Sequence, residues 1–465
     1  MKISGLVLTW PLLGLVGLTV FYGFWRTLPT EHWTGDCVKI GIFSDCHFGF
    51  GEGSERARDA VEQATQAMEG VLSHQVDFIL LAGDLFDTNE PTPEAYHQAF
   101  ECFSHANRAA DSKVSIQKVL REGTQIPVLF HGVPIVSIHG THEHRPREFT
   151  NALEVLEQSG AIVHLHANHC EITLNNETVC VHGLSGVPEK VAKQVLANWN
   201  PKPIEHACNL LVIHQSISEF LPTDDEMAVS ISLTDLPAGF DWIINGHLHW
   251  PHSTQFEGKR FLLTGSTVAT QLKRLEAQHP KGYFILETQT NAIQFFPIPK
   301  QRKIFYEKLK FESATPDEIK KNVHAFLEKV FSQTFEQKPL IRIKLVGSLA
   351  KGFSASDVKL RELTAEFDAQ ALFSVDENFS ESSLRQKIAE LRTFQTNHAS
   401  VLEMGLEILE KNLEQTRFNQ AFDTRRVLEL LSAGDTDAVL ELLSQPKNPP
   451  PLLREKKTEE SPIQK

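Results

Sequence analysis

The chain has no CxxC motif and no two cysteines close together in the sequence. Structural zinc sites are usually built from such closely spaced pairs, so this absence argues against one. Isolated cysteines are typical of a reducing compartment, where the residue packs as a small apolar side chain. The chain has six of them, at Cys37, Cys46, Cys102, Cys170, Cys180 and Cys208.

The chain also lacks an excess of basic residues. Its 45 lysines and arginines are outnumbered by 59 aspartates and glutamates, which gives a formal net charge of −14. A protein that binds nucleic acid over a long surface is usually basic somewhere. If this chain binds nucleic acid, its cations must be concentrated locally, or the affinity must come from bound metal ions or from a partner subunit.

Internal repeats are not visible either. With 465 residues the chain is too long for one ordinary domain, so two or three domains are expected. Hydrophobic residues make up 41% of the chain, which is enough for a large core and too many for a protein that is disordered throughout.

The first 37 residues allow two interpretations. Gly5–Phe24 carries no charge and is long enough to span a bilayer, and Lys2 and Arg26 flank it as in a signal anchor. Alternatively, the start codon has been placed too far upstream, because the first predicted strand begins only at about Val38. A membrane is therefore a partner only if residues 1–37 are a genuine part of the protein.

Short apolar runs alternate with amphipathic stretches from Val38 to about residue 300. The runs are typical of buried strands, and Glu55–Leu72 shows the spacing of a helix with one apolar face. Pro93 is suited to the first turn of a second helix. This alternation predicts an α/β core, with strands at Val38–Phe43, Phe78–Ala82, Ile135–Ile138, Val179–Val181, Leu210–Ile213, Trp242–Asn245 and Phe261–Leu263.

The character of the sequence changes near residue 300. A helix beginning at Thr315 with a capping box, and an alternating strand around Ile341–Leu345, predict a small α+β domain over residues 301–378. Residues 379–444 are predicted to be mainly helical. Residues 445–465, with three consecutive prolines and mixed charges, are predicted to be disordered.

Five segments place candidate metal ligands directly after predicted strands. In open α/β sheets such positions gather in one crevice at the carboxyl ends of the strands. In D-x-H and H-x-H, both side chains are expected on one side of an extended chain, because the strand period is two. The segments are Asp45-Cys46-His47, Gly83-Asp84, Gly140-Thr141-His142-Glu143, His214 and Gly246-His247-Leu248-His249.

A single histidine at a strand end is usually a structural residue, and an isolated Gly-Asp pair carries no information. The ordered set of five segments is more specific. Carboxylates and imidazoles without thiolates suit manganese, iron or zinc rather than calcium. Two such ions, about 3.5–4 Å apart, can bridge a phosphate, activate a water molecule and neutralise the developing charge. The set therefore predicts a two-metal phosphoesterase.

These motifs resemble the calcineurin-like metallophosphoesterases. The sequence around the motifs is similar to the nuclease of the Mre–Rad (bacterial SbcD–SbcC) DNA double-strand-break repair complex, in its archaeal form. The similarity is close over residues 38–300 and looser beyond them. The resemblance implies a β-sandwich flanked by helices in four layers. It rests on FSDCHFGFG, LLAGDLFD, IVSIHGTHEHR, VCVHGLSG, LVIHQ, GFDWIINGHLHWP and TGSTVATQL.

The same resemblance assigns roles to the candidate ligands. One manganese ion would be held by Asp45, His47, Asp84 and His249. The other would be held by Asp84, His214 and His247, with Asp84 bridging. His142 would stand near the leaving oxygen. Thr141 occupies a ligand position where the family usually has Asn, so we expect weaker binding of the second ion or a water in the gap; Glu143 in place of the usual Asp is a milder change.

The implied function is a manganese-dependent DNA nuclease, a 3′–5′ exonuclease on double strands and an endonuclease on single strands or hairpins. The implied partner is an SMC-like coiled-coil ATPase, which would bind the helices of residues 379–444. Residues 301–378 would be a capping domain that positions DNA. The protein would be a cytoplasmic, nucleoid-associated homodimer, with helices in 55–75 and 93–121 as candidates for the dimer contact.

Two other functions remain open. A phosphatase or small cyclic-nucleotide phosphodiesterase could use the same metal site, but would not need the long C-terminal part. A non-catalytic repair scaffold could have begun to lose its site at Thr141, but the other ligands are complete. A nuclease should cleave duplex DNA ends, whereas a phosphatase or small cyclic-nucleotide phosphodiesterase should not. A non-catalytic scaffold should bind fewer than two metal ions per chain.

Overall fold

A computed structural model of the chain describes residues 37–146, 148–221, 230–379, 406, 423–432 and 436–444. The uncharged run at residues 5–24, most of the predicted helical segment 379–444 and the tail 445–465 lie outside the described residues. Among the helices that are described, none is both long and apolar enough to cross a membrane.

The chain divides into two compact units. The first comprises residues up to 271 together with 279–301, and the second comprises 272–278 together with the residues from 302 onward. All of the predicted metal-ligand residues belong to the first unit.

Two sheets form the first unit. The six-stranded sheet has, in spatial order, β14 (Ala292–Pro297), β13 (Gly282–Glu287), β1 (Lys39–Phe43), β2 (Phe78–Ala82), β5 (Ile135–Ile138) and β6 (Val163–His164). The eight-stranded sheet has β11 (Pro251–Phe256), β12 (Lys259–Thr264), β10 (Trp242–Asn245), β9 (Cys208–Ile213), β8 (Glu177–Leu184), β7 (Asn168–Leu174), β3 (Ser115–Val119) and β4 (Gln125–Val128).

The two sheets pack face to face as a sandwich. Their inner faces share one apolar core, to which the six-stranded sheet contributes Ile42 and Leu80 and the eight-stranded sheet contributes Leu210 and Ile244. Burying these faces supplies most of the driving force for the fold, at roughly 25 cal/mol per Å² of apolar surface. The seven strands predicted from apolar runs are all present.

Helices cover the outside of the sandwich. The outer face of the six-stranded sheet packs against α1 (Asp59–Ser73), α2 (Pro93–Arg108) and α3 (Ala152–Gln158). A further helix, α4 (Glu189–Trp199), connects the parallel strands β8 and β9. Since the inner face of their sheet is already covered, α4 lies on its outer face. The expected α/β sandwich flanked by helices is confirmed.

Local signals set the ends of these helices. Thr92 caps α2, its hydroxyl accepting from the Ala95 amide, and Pro93 is the first helical residue as predicted. The prediction for α1 began too early, because the helix starts at Asp59 rather than Glu55. The residues before it form turns in which the Arg56 side chain donates to Asp59.

The second unit contains a parallel three-stranded sheet in the order β15 (Ile304–Ala314), β16 (Leu340–Leu349) and β17 (Leu372–Phe379). One face of it packs against α6 (Pro316–Val330), whose capping box between Thr315 and Glu318 is present as predicted. Further α-helices described in this unit are α5 (Arg274–Gln278), α7 (Leu360–Thr364), α8 (Thr424–Ser432) and α9 (Thr436–Ser444).

Candidate metal centre

The five ligand-bearing segments meet at one end of the sandwich. β1, β2 and β5 run parallel in one sheet, and β9 and β10 run parallel in the other. Each of these strands ends just before one of the predicted segments, so their carboxyl ends deliver the ligands to a common place.

Three buried side chains form the first cluster, defined as Asp45, His47 and His249. Each offers one ligand atom, and these atoms lie within 4.8 Å of one another. His249 Nε2 is 3.2 Å from Asp45 Oδ1 and 3.4 Å from His47 Nε2. Donor atoms about 2.1 Å from a shared ion, at angles of about 90–110°, are separated by about 3.0–3.4 Å, so these spacings suit one metal ion.

The second cluster is defined as Asp84, His214 and His247, whose ligand atoms also lie within 4.8 Å of one another. His214 Nε2 is 3.0 Å from Asp84 Oδ2. Thr141 lies at the edge of this cluster, with its hydroxyl 3.5 Å from His247 Nδ1. The structure therefore brings the six predicted carboxylate and imidazole ligands into two clusters, with Thr141 next to the second.

Four of the candidate ligands lie in turns rather than in extended strands. Asp45, His47, Asp84 and His247 all have left-handed backbone conformations, with φ of 52°, 49°, 47° and 73°. The expectation that a strand period of two aligns Asp45 with His47 is wrong, because β1 ends at Phe43 and the pair lies in the turn that follows. Such conformations cost free energy in non-glycine residues and cluster at functional sites, where the surrounding structure holds them.

Two glycines allow the backbone to approach the ligands closely. A Cβ atom at Gly140 would lie 2.0 Å from Asp84 Oδ1 and 2.4 Å from the Asp84 amide. A Cβ atom at Gly83 would lie 2.4 Å from His214 Nδ1, and Gly83 has a φ of +97°. Any larger residue at either position would displace a ligand of the second cluster.

Each ligand imidazole has one ring nitrogen held by a group outside the clusters. His214 Nδ1 donates to the Ala82 carbonyl (2.7 Å). The other three contacts are His47 Nδ1 to Asp87 Oδ1 (3.1 Å), His249 Nδ1 to Thr270 Oγ1 (3.0 Å) and His247 Nε2 to Ser216 Oγ (3.0 Å). Such partners fix the ring orientation and leave the second nitrogen for a metal ion.

Sequence reasoning missed these three side-chain partners. Asp87 carried a usable signal, because it lies three residues after Asp84 in the predicted metal-binding turn. Ser216 and Thr270 carried none, since a hydroxyl near a histidine cannot be inferred from spacing.

His142 lies at the exposed side of the site. Its Nδ1 donates to the Asp87 carbonyl at 2.7 Å, so Nε2 is the nitrogen that can hold a proton toward a substrate. The amide of His142 donates to Asp84 Oδ1 at 2.9 Å. His142 is thus tied by its main chain to the second cluster, and by its ring to the residue that orients His47.

Glu143 links two of the turns that carry the candidate ligands. Its fully buried carboxyl accepts the amides of Phe86 (2.7 Å) and Gly140 (2.6 Å), and so joins the turn after β2 to the turn after β5. Burial, with a smaller contribution from Asp84, raises the pKa of Glu143 to about 8.

The two clusters are strongly coupled electrostatically. Burial on its own would lower the pKa of His214, but the carboxylates of Asp84 and Asp45 raise it to about 10. Burial would raise the pKa of Asp84, but the imidazoles around it, His214 above all, hold that pKa far below its ordinary value. A metal ion at the second cluster would therefore have to displace a proton from His214.

Residues 38–251 match the family of calcineurin-like phosphoesterases. They form a calcineurin-like phosphoesterase domain. The predicted calcineurin-like metallophosphoesterase domain is confirmed, and its fold family implies a two-metal site.

The phosphoesterase domain and the residues after it are also similar to DNA double-strand break repair proteins named Mre11, as expected from the motifs. The Arabidopsis thaliana protein is 25% identical, over 67% of this chain and 50% of its own length. The Methanopyrus kandleri protein is 24% identical, over 80% and 82%, and the Sulfolobus acidocaldarius protein 23%, over 88% and 98%. The chain thus spans about half the length of the plant relative, but nearly all of the Sulfolobus one.

Two buried pairs of ligand atoms indicate that the phosphoesterase domain fits a pair of metal ions. Within the described residues, Asp45 Oδ1 lies 3.2 Å from His249 Nε2, and His214 Nε2 lies 3.0 Å from Asp84 Oδ2, with all four side chains buried. Ligand atoms that converge at this spacing in a buried place are what a shared cation requires, and each cluster contains one such pair.

Proposed function

We propose that the protein is a manganese-dependent DNA nuclease that processes double-strand breaks. It would degrade double strands from 3′ to 5′ and cut single strands or hairpins internally. The observation that carries the proposal is the pair of adjacent carboxylate–imidazole clusters in a phosphoesterase domain. Its relatives named as double-strand break repair proteins supply the choice of DNA as the substrate.

The first cluster and the second cluster would each hold one Mn²⁺, with Asp84 bridging them. Borderline nitrogen ligands mixed with hard carboxylates suit manganese. When bound, the two ions would supply Lewis acidity and charge neutralisation at a phosphodiester. The chain's own contribution is to hold the ligands before substrate arrives, through the partners of each imidazole and the left-handed turns.

His142 would assist the departing 3′ oxygen. Its Nδ1–H is engaged by the Asp87 carbonyl, which fixes the ring and directs Nε2 away from that contact. A protonated Nε2 could donate a proton or a hydrogen bond to the leaving oxygen, as a general acid does. The exposed position of His142 allows it to reach a bound substrate.

A basic sheet face in the second unit supports DNA as the substrate. On the face of the three-stranded sheet opposite its core, Lys308 is next to Lys344, and Tyr306 is next to Arg342. Lys310 and then Glu312 follow on the same face of β15. Asp376 on β17 is in register with Lys344 and pairs with Arg342, so the two carboxylates offset part of the charge. Adjacent like charges on neighbouring strands are destabilising unless an anion lies over them. In a chain of net charge −14, this concentration of cations suits a phosphate backbone.

The remaining assignments belong to the same proposal. Residues 301–378 would cap the DNA over the metal ions, and the helices within 379–444 would bind an SMC-like coiled-coil ATPase that controls access. The protein would act as a homodimer, with α1 and α2 as candidate contact helices, in the cytoplasm at the nucleoid.

The decisive test is a nuclease assay with Mn²⁺ on blunt duplex and hairpin DNA, with and without the ATPase. We expect cleavage by the wild type and loss of cleavage in Asp84→Ala and His214→Ala. Full manganese-dependent activity in either variant would refute the proposed site. Turnover of a chromogenic phosphodiester without cleavage of DNA ends would favour a small-substrate phosphodiesterase, and fewer than two bound ions per chain would favour a scaffold.

A further inference from the structure

The segment Thr264–Thr270 borders the first cluster without contributing a ligand to it. At its start, the hydroxyl of Ser44 is 2.6 Å from Thr264 Oγ1 and donates to the Gly265 carbonyl at 3.0 Å. The same Ser44 hydroxyl contacts the Asp45 carboxylate. The start of the segment therefore restrains Asp45 through its neighbour.

The end of the segment restrains the other side of the cluster. Thr270 Oγ1 is 3.0 Å from His249 Nδ1. The Arg56 guanidinium donates to the carbonyl of Ala269, the residue before Thr270. The segment thus contacts His249 directly and Asp45 through Ser44, so it adjoins the first cluster at both ends.

One buried cation joins this segment to the main chain of the ligand. Lys281 is only 2% exposed, and its ammonium donates to the His249 carbonyl at 2.9 Å and to Ser266 Oγ at 2.8 Å. Ser266 Oγ in turn donates to the Val268 carbonyl at 2.7 Å. Fully buried lysines are rare, because removing the charge from water is costly. An apolar side chain would fill the same space at lower cost, but could not join these two parts of the chain.

We propose that Lys281 is a positioning residue that sets the geometry, and hence the affinity, of the first metal site. The inference rests on the proposed two-metal function. Lys281 would act through the His249 main chain and through Ser266, and would touch neither the ion nor the substrate. The free-energy cost of burying the Lys281 ammonium would be offset because its hydrogen bonds hold His249 against the segment that also restrains Asp45.

The test is the variant Lys281→Met in the full chain, which keeps the length of the side chain and removes the charge and the hydrogen bonds. Mn²⁺ binding is measured by titration calorimetry and by electron paramagnetic resonance of the bound ions. Loss of an orienting partner typically weakens a metal site 10–100-fold. We expect one of the two sites to weaken by about that factor, while the other keeps its affinity.

The matched control is Lys259→Met. Lys259 also donates to a carbonyl, that of Leu236 at 2.8 Å, but it stands at the opposite end of β12 from the segment. This variant should bind both ions as the wild type does. A folded Lys281→Met protein with wild-type affinity at both sites would overturn the proposal.

A second variant keeps the idea testable if Lys281→Met does not fold. Thr270→Val removes the hydroxyl beside His249 Nδ1 with little change in shape, and should weaken the same site. Unchanged binding in a folded Thr270→Val protein would then refute the positioning role of the segment. If the wild type itself binds fewer than two Mn²⁺, the proposed function fails instead, whatever the variants do.

Discussion

Removing the Asp87 carboxylate tests the orientation of His47, a proposed metal ligand, without moving His142, the proposed catalytic residue. Asp87 Oδ1 holds His47 Nδ1 at 3.1 Å, whereas its main-chain carbonyl holds His142. The substitution Asp87→Ala removes the first contact and leaves the second. We therefore expect weaker binding of Mn²⁺ at the first cluster, with His142 still in place.

The size of this effect follows from the exposure of the pair. A hydrogen bond to a charged group contributes about 1.5–3 kcal/mol when well buried. His47 is buried, but the Asp87 side chain is 29% exposed, so solvent screens part of the interaction. We take about half of that range, about 0.8–1.5 kcal/mol, which corresponds to a loss of about 4–13-fold in affinity. This lies at the low end of the range for residues that orient metal ligands.

The assay is calorimetric titration with Mn²⁺, combined with hydrolysis of a chromogenic phosphodiester at saturating Mn²⁺. Saturation should restore most of the activity of Asp87→Ala, because only the ligand geometry is impaired. Glu90→Gln is the control, since Glu90 is an exposed carboxylate that pairs with Arg145 rather than with a ligand. Wild-type affinity in Asp87→Ala, or an equal loss in Glu90→Gln, would refute the reasoning.

Three further predictions concern other parts of the chain. Gly140→Ala should abolish binding at the second cluster in metal titrations, because its Cβ would overlap Asp84 Oδ1. The control Gly160→Ala adds a Cβ with no atom within 4 Å at a φ of +77°, so it should lower stability slightly and leave metal binding intact. The double variant Lys308→Ala/Lys344→Ala should weaken DNA binding and reduce the slope of log affinity against log salt concentration by about 2. The control Lys320→Ala/Lys321→Ala should change this slope less, because these two lysines lie on α6 and outside the basic face. Burial lowers the pKa of His164 to about 3 and of His182 to about 4, so the folded state keeps both rings neutral while the unfolded chain takes up protons below about pH 6.5. The free energy of unfolding should therefore fall as the pH drops from about 6.5 towards 4, by up to about 1.4 kcal/mol per pH unit for each ring. Urea unfolding at pH 7 and pH 5 should show a smaller difference for His182→Gln than for the wild type. The control His131→Gln, at an exposed histidine, should keep the wild-type difference.

The α/β class and the positions of the ligand-bearing strands could be predicted from the amino-acid sequence alone. Runs such as Phe78–Ala82 are buried on both faces, and a strand of that kind is apolar along its whole length. Half-exposed strands were missed, among them β3 and β7, because alternating polar residues such as those of Ser115–Val119 give a weaker signal. The helix starts at Pro93 and at Thr315 could be predicted, because proline at the first turn and a capping box act on backbone groups only a few positions away.

The sequence also named the candidate ligands, because carboxylates and imidazoles that follow parallel strands must emerge at one edge of the sheet. It could not reveal how they are held. The left-handed turns at Asp45 and Asp84 are imposed by surrounding contacts, and no local preference of aspartate requires them.

The distant residues that support the site could be identified only from the folded structure. Thr270 lies beside His249, and Lys281 reaches the His249 carbonyl across 32 residues of sequence. Likewise, the basic face arises from the register of β15 with β16, which places Lys308 against Lys344. Contacts of this kind depend on how separate segments pack. Residue type and spacing along one segment do not encode that packing, so the sequence specifies the chemistry of the site and the fold specifies its geometry.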